Sequence, residues 1–484
     1  MTSGNQTDLR STSVDATSAH GGNAPSLRRN LALCTWDGIN AVPLTVLSQP
    51  GNAVIAALLT GTFALSTRTY GLITSLPFWF NFLQVILTPL LAQRLNARRL
   101  CIASAWMHVI GWLAFVAVMP FVPQGDDSTT VITFVAIFSF IALSTAINGV
   151  AWNGWMQEAV PLRIRGKFFG RRNRLLYISL LAFLFAASGV LAWFEGSLLA
   201  FHVLLAVGIT MRTVSVLAQQ RMHLNTGKAP VRKEAPWREQ LSQVWQDRTF
   251  MRFIGFAALM GFSVNLFAPF YPVFMFQELH LSAAETNFML LTTILAAAIA
   301  FPAWGRLIDR YGNIPIMIVS LVLWQIFNVL WCFVGPDNIG LLYVPLAAGG
   351  LFTAGYGVGV FGLLLKLTPP EARTMSVALF VSLSSLAAAV GPIIGSNLLS
   401  WAIAQGWPSL RVYHVAFIFM PVLTILNCFL LKKIREASAA RLTEVVGAMR
   451  NVRTVASLFG LTFLVNQVFY RTAERNPRPR PDAS

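Results

Sequence analysis

The side chains in this chain that could act chemically are few, and their types favour holding a molecule over transforming one. No His-Glu-x-x-His run, no acid/base carboxylate pair and no Gly-x-Ser-x-Gly elbow occurs among the 484 residues, so the usual hydrolytic sets are missing. A Gly-x4-Gly-Lys-Ser/Thr loop is also missing, which removes the commonest cradle for ATP. What the apolar stretches carry instead are amides, phenols and indoles: Asn40, Thr45, Gln49 and Asn52; Asn148, Trp152, Asn153 and Trp155; Asn265 and Tyr271; Tyr343 and Tyr356. Such groups hydrogen-bond and stack on a neutral or weakly charged organic solute, although the same side chains also bond between helices or anchor at interfaces. The ionisable groups read at depth are His108, His202 and Arg212, with no carboxylate mid-stretch, so no proton carrier stands out. Asp37 reads as a helix-start residue. The four cysteines, Cys34, Cys101, Cys332 and Cys428, share no short spacing and read as small hydrophobes. No metal site and no cofactor is expected.

Something must position these groups, and the hydropathy pattern supplies it. A helix rising about 1.5 Å per residue needs roughly 20 residues to cross a hydrocarbon core of about 30 Å. About twelve apolar stretches meet that need, near 41–64, 71–92, 100–121, 131–155, 175–194, 198–218, 253–276, 287–305, 314–334, 341–365, 374–398 and 412–431. All of the 36 Lys and Arg residues except Arg68, Arg212 and Arg411 fall in the tails and in alternate gaps between these stretches. Short basic loops stay in the cytoplasm, so this distribution predicts that both termini lie inside.

A mean hydropathy of +0.62, with 55% hydrophobic and 11% charged residues, excludes a soluble globular domain of this length. The net charge of +17 does not imply nucleic acid, because its cations are spread through loops; topology and contact with anionic lipid explain it. Residues 1–27 are rich in Ser, Thr, Asn and Gly without a signal-peptide pattern and read as a disordered tail. Within the stretch from Leu442 to Tyr470, the run Thr454 to Tyr470 is apolar but short for a crossing, and a crossing would strand Arg471, Arg475, Arg478 and Arg480 outside, so the stretch reads as a helix lying against the inner face or packed on the bundle.

The chain also repeats itself. Leu65-Ser66 and the run from Pro89 to Asn96 recur at an offset of 216 residues as Leu281-Ser282 and the run from Gly305 to Gly312. The run from Val160 to Gly166 recurs at an offset of 208 as Thr368 to Thr374. Two halves of six spans follow, and such repeats place a solute site at their mutual interface. Glu158 and Lys366 occupy matching positions under the second offset, which suits an ion pair across an inner gate. Gly357 to Gly362 matches a dinucleotide fingerprint in letters only; with Gly391 and Gly395 it reads as close helix packing. Pro43, Pro50, Pro77, Pro89, Pro269, Pro272 and Pro392 predict kinks.

The segment GRLIDRYG at 305–312, its degraded copy after span 2, and VPLRIRGKFFGRRN at 160–173 resemble the inner loops of the major facilitator superfamily (MFS). The resemblance covers about residues 30–431 and implies an all-α polytopic membrane protein with 12 transmembrane helices in two pseudo-symmetric six-helix bundles. It implies a central cavity lined by spans 1, 4, 7 and 10, which turns Asn40, Asn52, Asn148, Trp152, Asn153, Asn265, Tyr271 and Tyr356 into substrate-binding candidates. It also implies gating by Glu158, Arg165, Gly166, Gly305, Asp309, Arg310, Gly312, Lys366 and Arg373, with Asp309 latching onto the inner start of span 5.

The expected organisation is a cytoplasmic tail at 1–29, a six-helix bundle at 30–218, a cytoplasmic linker at 219–252, a second bundle at 253–431 and a cytoplasmic tail with an interfacial helix at 432–484. The leading functional expectation is a gradient-driven transporter of a small organic solute in the bacterial inner membrane, with no enzymatic activity. An exporter of hydrophobic or drug-like compounds and a non-transporting membrane sensor are the alternatives. The exporter is favoured if Asn148, Asn153 and Asn265 face other helices and Phe and Met face the cavity. Expected partners are the solute, a co-transported proton or cation, and membrane lipids, with no nucleic acid and a monomeric state.

Overall fold

The computed structural model describes residues 24–49, 51–92, 96–222, 237–369, 372–434, 436, 439–440 and 442–450. The N-terminal half contains α1 (Ala24–Leu47), α2 (Ala53–Thr62), α3 (Thr67–Ala92), α4 (Ala97–Val118), α5 (Ser128–Ala159), α6 (Leu162–Trp193) and α7 (Leu198–Arg221). A short α8 (Trp237–Gln246) follows. The C-terminal half contains α9 (Arg248–Phe267), α10 (Tyr271–Gln277), α11 (Ala283–Tyr311), α12 (Asn313–Asn328), α13 (Tyr343–Leu367), α14 (Arg373–Ala404) and α15 (Ser409–Leu431), and α16 (Leu442–Arg450) comes after it.

Local sequence sets many helix starts. Asp127 accepts from Thr129 N at 2.8 Å, Asp247 from Thr249 N at 2.9 Å, and Ser282 with Glu285 forms a reciprocal capping box at the head of α11. Among the described residues, ten segments are long and apolar enough to cross a membrane. With α1–α2 and α3 they complete two pseudo-symmetric six-helix bundles, an all-α polytopic membrane protein. Spans 2 to 12 lie where hydropathy puts them. The first does not: the stretch 41–64 is parts of two helices, and α1 begins at Ala24, inside the segment expected as a tail. Gly51 turns the chain at φ +71 before Asn52 caps the next helix, while Arg28, Arg29, Asn30 and Asp37 lower the hydropathy of the first half of α1.

Packing separates the two ends of the molecule. At the end opposite the basic loops, one continuous apolar core takes residues from both halves, including Leu58, Phe63 and Phe134 from the first and Phe270, Phe274 and Phe417 from the second. Hydrogen bonds cross there as well: Tyr70 Oη donates to Pro269 O at 3.1 Å, and Asn287 Nδ2 to Leu184 O and Ser188 Oγ at 2.8 Å each. A Cβ at Gly71 would collide with Ser396, so α3 and α14 approach closely. At the basic end the buried clusters belong to one half each, around Trp155 and Cys101 in the first and around Phe253 and Trp304 in the second. The halves are joined at one end and carry separate cores at the other.

Candidate functional site

Two places gather polar side chains within the span region. The first is buried in the N-terminal half toward the basic end. Asp37 is 1% exposed, on the face of α1 that meets α7. Its Oδ1 accepts from Ser215 Oγ at 2.7 Å and Gln219 Nε2 at 2.8 Å. Its Oδ2 accepts from Trp152 Nε1 at 3.3 Å and faces Arg172 Nη2 at 3.9 Å. Arg172 donates from Nε to Cys34 O at 3.1 Å, and its guanidinium lies 4.5 Å over the Trp152 ring. Arg212 donates to Ser215 Oγ at 3.0 Å and to Asn148 Oδ1 at 3.2 Å.

One sequence expectation changes here. Asp37 is not a helix-start residue but a buried carboxylate well inside α1, so the spans do hold an acid at depth. Arg212 lies at depth as read, roughly 13 Å along α7 from its basic end and 4% exposed, within this cluster. The carboxylate therefore faces the Arg172 guanidinium, with hydroxyl, amide and indole donors completing its shell and Arg212 joined through Ser215. Such a cluster ties α1 to α5, α6 and α7, because breaking any one bond leaves a buried charge short of a partner.

The second place is a pair of helix breaks. Between α1 and α2, Gly51 adopts φ +71, a left-handed conformation that suits glycine. Asn52 Oδ1 then accepts from Val54 N at 3.0 Å and Ile55 N at 3.3 Å to start α2. In the other half, α9 gives way to a 3-10 turn at Ala268–Phe270 before α10. The two breaks meet: a Cβ on Gly51 would lie 3.2 Å from Pro269 Cα. Matching interruptions in corresponding spans of two repeats are the structural pointer to a solute site.

The binding candidates divide accordingly. Asn148 and Trp152 belong to the Asp37 cluster, where Asn148 Nδ2 also donates to Cys101 O at 2.9 Å and Ser104 Oγ at 3.2 Å. Asn52 is a helix cap, while Asn40 and Asn265 donate to carbonyls one turn back in their own helices, Trp36 O and Gly261 O, at 2.8 Å each. Tyr271 Oη donates to Asn328 Oδ1 at 3.3 Å, and its ring stacks on Trp331 at 4.1 Å. Tyr356 sits edge-on to Phe256, and Asn153 is exposed. Trp155 is 1% exposed in the N-terminal core and forms no interfacial belt.

Among the gating candidates, Asp309 is exposed at the end of α11, Arg310 lies 5.2 Å over the Tyr311 ring, and Arg165 donates to Val160 O at 3.0 and 3.2 Å. Gly305 lies within α11, with open space where a Cβ would stand, and Gly312 turns the chain at φ +90. Gly166 lies in the first turns of α6. The side chains of Glu158 and Arg373 lie outside the described residues, as does most of 442–470.

Lys366 has a partner the sequence reading missed. Its Nζ is 2.8 Å from Glu436 Oε1, and the Glu436 side chain is 2% exposed. Glu436 also accepts from Asn313 N at 2.9 Å, Ile314 N at 2.9 Å and Asn313 Nδ2 at 2.7 Å, capping the start of α12. Ala440 N donates to Tyr311 O at 3.0 Å, so the segment after α15 lies across the turn at Gly312. Burial opposes the Glu436 charge, but the Lys366 ammonium and the three Asn313 and Ile314 donors outweigh it and hold the carboxyl below its ordinary range. The one signal in the sequence was a single acid in a basic run just past the last span.

Residues 253–473 match the family model of the Major Facilitator Superfamily. Multidrug resistance protein 1 of Bacillus subtilis (strain 168) is 26% identical over 143 residues, 30% of this chain and 36% of that protein. Multidrug resistance protein MdtG of Proteus mirabilis (strain HI4320) is 25% identical over 230 residues, 46% of this chain and 55% of that one. The matched stretch spans about a third of the length of several curated relatives, 32% to 36%. The crystal structure of nucleoside transporter NupG superposes with a TM-score of 0.63 at 14% identity, covering 84% of this chain and 98% of that one, which bears on fold alone. The family-model match over residues 253–473 and the curated relatives support a transporter of the Major Facilitator Superfamily.

Proposed function

We propose that the protein is a secondary transporter that carries a small organic solute across a bacterial inner membrane by alternating access, with its basic end in the cytoplasm. The observation that carries this reading is the unequal joining of the halves, one shared core at one end and separate cores at the other. Two rigid bundles that meet at one end can rock about a site between them, and the paired breaks in α1–α2 and α9–α10 lie where that site belongs. The basic distribution supports the sidedness. A gradient supplies the energy in this reading, and the chain performs no bond chemistry.

Export of hydrophobic or drug-like compounds is the second reading, and specific contacts favour it. Asn148 and Asn265 spend their amide donors on neighbouring helices or their own turn, which leaves the span faces poorer in hydrogen-bonding groups than the sequence suggested. The names of the multidrug resistance relatives point the same way. The test is uptake by proteoliposomes of sugars, amino acids, organic acids and lipophilic cations, with Asp309→Asn as the gating variant. Flux slowed in Asp309→Asn without loss of fold is expected; saturable binding with no flux of any solute would favour a sensor.

A further inference from the structure

The break between α1 and α2 shapes a pocket as well as a kink. Within it, Ser48 and Gln49 face Asn81 of α3 and Thr145 of α5 across a cavity of about 70 Å³, walled by Phe138 and Ile141 among others. That is the room of about two liquid waters, enough for one small functional group but not for a whole solute. Thr145 and Asn81 lie near the middles of their helices, so the cavity is close to the midplane. It also lies just before the joined end: Gly51, two residues past Gln49, is the one that abuts Pro269 of the other half.

The polar groups are presented in an uneven way. Ser48 is held, because its hydroxyl donates to Leu44 O at 2.8 Å, receives Trp112 Nε1 at 3.1 Å and stands 2.9 Å from His108 Nε2. His108 is 2% exposed, and its Nδ1 has no partner among the described residues. Gln49 and Asn81 make no side-chain hydrogen bond among the described residues, and no charged side chain lines the cavity. Each free carboxamide offers two N–H donors and one carbonyl acceptor. Gln49 is exposed and Asn81 partly so, which leaves both carboxamides available to a bound group with a complementary donor and acceptor.

We infer that this cavity recognises an uncharged carboxamide-type group, a primary amide or lactam, whose apolar remainder extends past the exposed Gln49 into the space between the halves. Gln49 and Asn81 supply the paired donor and acceptor, while Ser48, held by Leu44, Trp112 and His108, fixes the backbone from which Gln49 projects. An ammonium or carboxylate finds no counter-charge in the cavity and is rejected by its desolvation cost. Because Ser48 and Gln49 sit in the break itself, occupancy acts on the segment that meets Pro269. This assignment rests on the alternating-access reading for its role in transport, but binding can be read without flux.

The test uses the full-length protein in detergent, with hexanamide, N,N-dimethylhexanamide, hexylammonium and hexanoate as probes, and reads affinity from the shift in melting temperature with concentration. Hexanamide is expected to bind saturably and more tightly than the other three. Gln49→Ala and Asn81→Ala should each weaken it by about five- to ten-fold, the effect of losing one hydrogen bond. Asn397→Ala, exposed on α14, should leave it unchanged. No saturable hexanamide binding, equal binding of a charged probe, or unweakened binding in both cavity variants would overturn the assignment. Hexanamide binding without flux of any solute would support the pocket and count against transport. Unimpaired flux and binding in the double variant would sink the pocket and spare transport.

Discussion

At the scale of single residues, Asp37 decides most about the N-terminal half. Its carboxylate is solvated by Ser215, Gln219 and Trp152 and opposed by the buried Arg172 guanidinium, with Arg212 joined through Ser215, so it acts as the anchor of a charged cluster. Removing one member of a buried ion pair typically costs about 3–5 kcal/mol, because the partner charge is left uncompensated. Asp37→Ala should therefore lower the melting temperature by several degrees, and Asp37→Asn should do so less, since the amide keeps one acceptor for Ser215 and Gln219. An unchanged melting temperature in both variants would show that the cluster is not holding α1 in place.

Among the elements, the segment after α15 tests a separate point. Glu436 joins the start of α12 to the end of α13 through backbone donors and Lys366. The Lys366 pair alone is half-exposed and contributes under about 1 kcal/mol; the charge-assisted bonds to the α12 amides are the stronger part. Because the folded carboxyl is held below its ordinary value of 4.5, the attachment is complete above that pH and is lost only as the pH falls below it. Amide exchange at Asn313 and Ile314, corrected for intrinsic rate, should be equally protected at pH 5.5 and 7 and lose protection in stronger acid; Glu436→Gln should lose part of it at every pH. Protection that is the same in wild type and variant throughout would contradict the clasp.

The elements also show what the sequence could reveal. Spans 2 to 12 were legible because a membrane helix announces itself by length and hydropathy, whatever it packs against. The first span was not, because its hydropathy is diluted by charges that make sense only in three dimensions: Asp37 is tolerable in the membrane through donors on α5, α6 and α7, far away in sequence. Asn52, Asn148 and Asn265 were legible as polar groups in apolar stretches, yet nothing in one sequence tells an amide that caps or crosslinks helices from one that faces a cavity. Ser48 and Asn81 were passed over for the same reason. The Lys366 position was marked by the repeat, but its partner, Glu436, lies outside the repeated segments.

For the whole molecule, the central claim is that the halves move as rigid bodies about a joined region that can change ends. Spin labels at Arg174→Cys and Arg310→Cys would report the basic end, and labels at Phe121→Cys and Trp407→Cys the opposite end, both in a background with Cys332→Ser. Each pair sits on exposed positions of different halves. Pulsed distance measurements in lipid, with and without a transported solute, are the most direct test. The account predicts reciprocal changes, so that a population with a shorter distance at the basic end has a longer one at the other. Distances that stay fixed at both ends, or that lengthen and shorten together, would contradict it.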